Sequence, residues 1–412
     1  MADKTEYPTE VRDPDFSQQP PDDGKISLCL SGGGYRAAIY HLGALRWLNE
    51  CGVLPRLGTV SCVSGGSIVG AHLAYRLRGA WPTRPIDAAT WTKDIEEPFW
   101  NFVNHNIRTR PVAIRLLPWN LPWSWSTIES LRKQYIRYLF NGNDPKLSEL
   151  KGPPEFIFCA TDMVFGVNWE ACAQHVGDYE AGYASPPPDE WTVARAVAAS
   201  SCFPPIFPPA ITLLAPSKLK NGRYRQSDRD KLVRGIRLSD GGVYDNLGLQ
   251  PVMRHRRVMA SDGGGSMDFV LLHLPWRRLA RYPALLQNGI GKLRKRILMA
   301  DLCSKPPTKD GTYWCIADGT SVGPPFYDET TANLIAGIRT DLNRFTRNEF
   351  EILVNHGYLR AAEKTLTYCK HLLTDPAPIK SVIPPFPKWH NIADIKSALR
   401  WSRHRFWPPC LR

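Results

Sequence analysis

Three glycine-rich stretches hold residue types that can act together on an ester. They are Leu30-Ser31-Gly32-Gly33-Gly34-Tyr35-Arg36, Val63-Ser64-Gly65-Gly66-Ser67 and, far downstream, Ser239-Asp240-Gly241-Gly242. A serine hydroxyl becomes a nucleophile only when a base takes its proton. The oxyanion that then forms needs donors already aimed at it, and losing one costs about 10²–10³ in rate. Ser64 with small neighbours can supply the hydroxyl. Asp240 can supply the base. The amides of Gly32, Gly33 and Gly34 are open to an anion because no side chain shields them, and Arg36 adds a fixed positive charge.

These assignments have rivals within the chain. Ser61 and Ser67 flank Ser64, but the pattern puts Ser61 inside a strand and Ser67 inside a helix. Ser261-Asp262-Gly263 repeats the Ser-Asp-Gly tripeptide, and composition does not separate Asp240 from Asp262. A Ser-acid-His triad would take its histidine from His255, His273, His356, His371, His390 or His404, none with a distinctive setting. His41 and His72 fall in helical patterns as packing residues. The absence of a marked histidine favours a serine–aspartate dyad. The glycine loop lacks the lysine and Ser/Thr of a phosphate loop and the Gly-x-Gly-x-x-Gly of a dinucleotide fold.

Strand-to-helix turns would position such groups, since a helix start leaves N–H groups unsatisfied and carries positive dipole. Ile26–Leu30 and the β-branched Thr59–Val63 read as short buried strands. Tyr35–Glu50, with Ala38, Leu42, Leu45 and Leu48 on one face, and Ile68–Leu77 read as the helices after them. Phe156–Ala160, Gly235–Ser239 and Met267–Leu274 are further strand-like runs, and Trp191–Ala199 reads as a short helix. Thr346-Arg347-Asn348-Glu349 has capping-box spacing, with Gly357 expected to stop that helix. The alternation predicts an α/β fold, a three-layer α/β/α sandwich with a largely parallel central sheet.

At 412 residues the chain can bury a large core. Its net charge of +13 is uneven: residues 1–24 hold seven acids and two bases, so the body carries about +18. A basic body favours anionic partners. Ten scattered cysteines with no Cys-x-x-Cys pair read as buried hydrophobes in a reducing compartment. No run is long and apolar enough to span a bilayer. Residues 98–126 interleave four tryptophans with proline and arginine; they read as a loop pinned by its aromatics, with a lipid–water boundary as the other reading. The basic run 276–298 reads as a solvated helix face.

The three motifs, in order, resemble the patatin-like phospholipase family, whose pattern is Gly-Gly-Gly-x-Arg/Lys, then Gly-x-Ser-x-Gly, then Asp-Gly-Gly. Here these are Gly32-Gly33-Gly34-Tyr35-Arg36, Cys62-Val63-Ser64-Gly65-Gly66 and Asp240-Gly241-Gly242. Further likeness lies in Ala160-Thr161-Asp162, Ala196–Pro205 and Asp240–Gly248. The resemblance implies a patatin-like α/β/α fold and a metal-free, cofactor-free lipid acyl hydrolase. Ser64 would be its nucleophile and Asp240, rather than Asp262, its base. Gly32, Gly33, Gly34 and Arg36 would form the oxyanion hole, and Cys62, Gly65 and Gly66 the nucleophile elbow. Cys62 departs from the pattern, putting a side chain where glycine is usual.

The expected organisation is a disordered acidic tail (1–24), a patatin-like domain (25–275) and a C-terminal helical extension packed on the same core (276–412), with Asp301–Pro307 as a linker-like break. Expected partners are phospholipid or acylglycerol at a membrane or lipid-droplet surface, without nucleic acid, in a cytoplasmic protein. The rival function is a catalytically silent lipid-binding or regulatory protein on the same scaffold.

Overall fold

The computed structural model describes residues 24–115, 125–204, 207–265, 275–321, 327–374 and 382–403. The acidic tail before Gly24, the run Met267–Leu274 and the Leu116–Ser124 part of the tryptophan-rich stretch lie outside these residues.

Among the described residues ten strands form one sheet: β1 (Ile26–Leu30), β2 (Leu57–Val63), β3 (Glu155–Asp162), β4 (Val167–Ala171), β5 (Val176–Asp178), β6 (Gly182–Ala184), β7 (Ala210–Ile211), β8 (Arg237–Asp240), β9 (Arg257–Asp262) and β10 (Asp310–Cys315). The main path runs β10-β9-β1-β2-β3-β4-β5-β6. From β10 to β3 every neighbour is parallel, and β4, β5, β6 and β8 join antiparallel. Helices flank this mostly parallel sheet, giving the α/β/α layering. β1 is buried at all five positions, as its continuous apolar run requires of a strand covered on both faces.

Five helices frame the sheet ends and the site: α1 (Gly34–Glu50), α2 (Gly65–Arg76), α3 (Val193–Ser200), α4 (Pro275–Cys303) and α5 (Arg347–Tyr368). α1 and α2 each start directly at a glycine turn after a strand, as their sequence spacing predicts. α5 begins at the Thr346–Glu349 capping box, with Thr346 Oγ1 accepting the Glu349 N–H and Glu349 returning to the Thr346 N–H at 2.7 Å. It does not stop at Gly357. The glycine serves close approach instead: a Cβ there would stand 1.8 Å from the Tyr40 carbonyl oxygen of α1, and one at Gly43 would stand 2.0 Å from the Val354 oxygen. The two helices pack backbone to backbone.

The segment after residue 275 is not wholly helical, for it supplies the edge strand β10. The expected break at Asp301–Pro307 is partly helix, since α4 continues to Cys303. The tryptophan-rich stretch is anchored at its start, where Phe99, Phe102 and Val103 are buried and Trp100 packs edge-on against Phe350. Among the described residues eight cysteines are buried and form no disulfide, while Cys303 is exposed.

Candidate active site

Two adjacent positions on β3 bring the distant motifs together. Val63, the last residue of β2, pairs with Cys159, and Asp240, the last residue of β8, pairs with Ala160. β4 occupies the opposite edge of β3 over Phe158–Asp162. β8 therefore takes the edge that β2 vacates when the chain turns at Ser64. The Ser64 turn and the Asp240 strand end meet head to head along one strand, at the carboxyl ends of the parallel strands where open α/β sheets place their ligand crevices.

Ser64 has φ 49° and ψ −110°, a strained conformation for a residue with a side chain. The surroundings hold it there. Its N–H donates to Ser200 Oγ at 2.9 Å, and the Ser200 hydroxyl donates to the Cys159 carbonyl at 2.6 Å. Ser67 Oγ lies 2.8 Å from Ser200 Oγ, so the Ser67 hydroxyl is spent on this network. Ser61 is wholly buried within β2. Of the three serines, only Ser64 retains a trace of exposure, 7%.

Asp240 is 2% exposed. Its Oδ1 accepts the Gly242 N–H at 2.8 Å, and its Oδ2 has no aligned partner. Burial pushes the carboxyl up to about 6; the nearby Ser64 hydroxyl and the Gly242 amide oppose the rise without cancelling it. A carboxylate poised near neutrality with one free oxygen is suited to accept a proton. Its Ser-Asp-Gly counterpart Asp262 is engaged elsewhere: Oδ2 accepts the Tyr313 hydroxyl at 2.6 Å and Oδ1 the Gly264 N–H at 2.9 Å.

The glycine loop divides its labour differently from the sequence expectation. The Gly32 N–H donates to the Asn246 carbonyl at 3.0 Å, and the Gly66 N–H donates to the Ser31 carbonyl at 3.0 Å. Neither is available to an oxyanion. Among the described residues the N–H groups of Gly33, Gly34 and Gly65 meet no acceptor. Gly33 and Gly34 have φ 138° and 59°, conformations that glycine adopts without strain. Gly65 abuts this loop so closely that a Cβ would stand 2.3 Å from the Gly34 carbonyl oxygen and 3.0 Å from its nitrogen.

Arg36 corrects a second expectation. Its buried guanidinium donates to the carbonyls of Ala336, Ile338 (2.9 Å), Gly263 (3.1 Å) and Gly264 (2.6 Å). It acts as a clamp that ties α1 to two later loops, with its donors turned to backbone oxygens.

Cys62 fits because the following helix leaves room for it. A Cβ at Gly70 would stand 2.4 Å from Cys62 Sγ, so the thiol fills the space opened by the glycine in α2. The elbow keeps a small residue on one side of the strand–helix contact, although not at the position the family pattern prescribes.

No described histidine hydrogen-bonds to Ser64 or Asp240. His41 is buried between Ser261 Oγ (2.7 Å) and the Ser31 carbonyl (3.0 Å), and burial pulls it down to about 4. His72 and His356 bond backbone carbonyls in the core. His273 and His404 lie outside the described residues.

Sequence reading missed three neighbours of the site. Ser200 secures the Ser64 turn, and its only signal was the Ser200-Ser201 pair at the end of α3. The Asn246 carboxamide lies between the backbones of Gly32, Gly242 and Gly264. Gln287 on α4 donates to the Gly242 carbonyl at 2.7 Å.

A strand–Ser–helix turn facing a strand-end aspartate beside a triple-glycine loop defines a hydrolase-like α/β scaffold. The patatin-like phospholipase family model matches residues 28–253, and the chain belongs to that family. No curated protein sequence matches it. Human GIVD cytosolic phospholipase A2 is a structural neighbour at 14% identity and TM-score 0.45, covering 93% of this chain and 60% of that one. The same enzyme in complex with methyl gamma-linolenyl fluorophosphonate gives TM-score 0.43 at 14% identity, covering 91% and 59%. VipD from Legionella pneumophila gives TM-score 0.33 at 12% identity, covering 91% and 74%. The chain thus spans about three fifths of the length of the human enzyme.

Proposed function

We propose that the chain is a lipid acyl hydrolase working through a Ser64–Asp240 dyad. The observation that carries this reading is the β3 register, which sets the strained Ser64 turn beside a buried carboxyl held near neutrality. Ser64 Oγ attacks the ester carbonyl while the free Asp240 Oδ2 takes its proton. The oxyanion is received by the N–H groups of Gly33, Gly34 and Gly65. As the acyl-enzyme forms, Asp240 returns the proton to the departing alcohol oxygen. A water then gives its proton to Asp240, attacks the acyl carbon and releases the fatty acid, and Ser64 recovers its hydrogen.

The substrate we assign is a phospholipid or acylglycerol presented at a lipid surface. The support is α4. Tyr282, Leu285, Leu286, Ile290 and Leu293 recur at helical spacing and are all exposed, Leu286 to 69% and Tyr282 to 64%. Exposed Lys292 and Arg296 border this stripe, while Leu298 and Gln287 face the protein. An apolar stripe with basic flanks is the pattern of a helix that lies in a lipid interface. The solvated face expected of this basic run is therefore only half of the helix. Because Gln287 holds the Gly242 carbonyl, the stripe sits at the loop that carries Asp240. No helix among the described residues is long and apolar enough to cross a membrane.

A fluorophosphonate probe tests the mechanism. Labelling and release of fatty acid should both vanish in Ser64→Ala, and turnover should vanish in Asp240→Asn but persist in Asp262→Asn. Labelling that survives Ser64→Ala would falsify the assignment. Vesicle binding by the wild type with no ester cleavage would favour the silent lipid-binding reading.

A further inference from the structure

A cavity of about 650 Å³ opens at the start of β10, away from the dyad. Arg257 and Asp310 begin β9 and β10 and line it, whereas the glycine loops lie at the far ends of the parallel strands. Five residues of strand, roughly 16 Å, separate the two ends. The volume is that of a small-molecule site.

Its charge is unbalanced. Both acids in the lining are already engaged: Asp310 Oδ2 lies 2.9 Å from His371 Nε2 and 3.9 Å from Arg257 Nε, and Asp318 Oδ2 lies 3.1 Å from Arg360 Nη2. Four lining cations, Arg256, Lys295, Lys309 and Lys364, make no ion pair with a described carboxylate. Arg256 donates to the carbonyls of Pro307 (2.8 Å) and Thr308. Lys309 is 3% exposed, and its ammonium donates to the carbonyls of Met253 (2.5 Å) and His255 (3.0 Å). The Asp301 carboxylate attracts this ammonium without an ion-pair contact, and an ammonium held mainly by backbone carbonyls still gains from a further anion.

The two remaining cations come from two different helices. Lys295 of α4 lies over the Tyr313 ring at 4.3 Å, and Lys364 of α5 lies over the Tyr368 ring at 5.6 Å. Both helices pack on the edge strand β10, and both lysines line the one cavity. The cavity is much larger than a bare phosphate, and Met299, Leu302 and Tyr368 give it an apolar wall. We propose that this cavity binds a phosphate monoester, with the dianionic phosphate between Lys295, Lys309 and Lys364 and the organic group against the apolar wall. Such a ligand supplies the missing negative charge. The site is separate from the dyad and does not depend on the hydrolase reading.

Calorimetric titration of the full chain with phenyl phosphate tests this, with Lys295→Glu and Lys364→Glu as the variants. Each should weaken binding about tenfold or more, and the double variant should abolish it. Circular dichroism and turnover of a short-chain ester should be unchanged. The source of the phosphate is told by sedimentation with phosphatidylcholine vesicles, with and without phosphatidic acid. Phosphatidic-acid-dependent binding that Lys364→Glu removes and phenyl phosphate displaces identifies a lipid headgroup. Phenyl phosphate binding without that dependence identifies a soluble phosphate ester. Absence of binding to both probes, or binding that persists in the double variant, overturns the proposal.

Discussion

Replacing Asp240 by Asn should remove activity and at the same time strengthen the fold at alkaline pH. An unfolded aspartate ionises near 3.8, whereas burial holds Asp240 near 6 in the folded chain. Between those values the folded state binds more protons than the unfolded state, so stability falls as pH rises. About two pH units at 1.36 kcal/mol each make the full penalty about 3 kcal/mol, absent below about pH 3 and complete above about pH 7. Asparagine is neutral throughout, and its carbonyl oxygen can still accept the Gly242 N–H. Urea unfolding of both proteins from pH 3 to pH 8 reads the difference. The stability of Asp240→Asn relative to wild type should grow by about 3 kcal/mol across that range, most of it between pH 4 and 6. A difference that stays flat with pH would refute the account of a desolvated, ionised base.

The same group sets the pH dependence of hydrolysis: kcat/KM should fall about tenfold per pH unit below an apparent pKa near 6, since protonated Asp240 cannot accept the Ser64 proton. Gly70→Ala should cost about 1–3 kcal/mol in urea unfolding by driving a methyl into Cys62 Sγ. In a Cys62→Ala background the same change should be nearly neutral, because the remaining contact with the Cβ at position 62 is 3.6 Å. Leu286→Glu with Leu293→Glu should reduce sedimentation with anionic vesicles by ~100-fold while a short-chain ester is still turned over at the wild-type rate.

The strand-turn-helix starts were readable because local rules govern them. An apolar run ending in glycine makes a strand stop; α1 begins one residue before the expected Tyr35, and α2 three residues before the expected Ile68. The capping box of α5 is equally local. What escaped was non-local. Asp240 and Asp262 share a tripeptide that composition does not separate; the family resemblance chose Asp240, and the pairing of β8 with β3 supplies the physical reason. Gly32 and Arg36 look like anion binders in isolation, yet their donors are claimed by Asn246 and by loops near residues 264 and 337, far along the chain. Gly357 carries the usual mark of a helix end, but contact with α1 gives it another purpose. The apolar stripe of α4 was masked by its basic residues, because net charge hides periodicity when the two occupy the same turns.

The Arg36 clamp and the glycine contact between α1 and α5 bear on how small a working version of this chain can be. The family match ends at residue 253, which invites trimming there or at 275. Trimming would strip the Ala336 and Ile338 carbonyls from the guanidinium and bare the side of α1 on which α5 rests. The helix that begins at the triple glycine would lose its outer support. The last third of the polypeptide thus buttresses the glycine loop, and a chain cut at residue 275 should unfold at lower urea than one that runs through Tyr368.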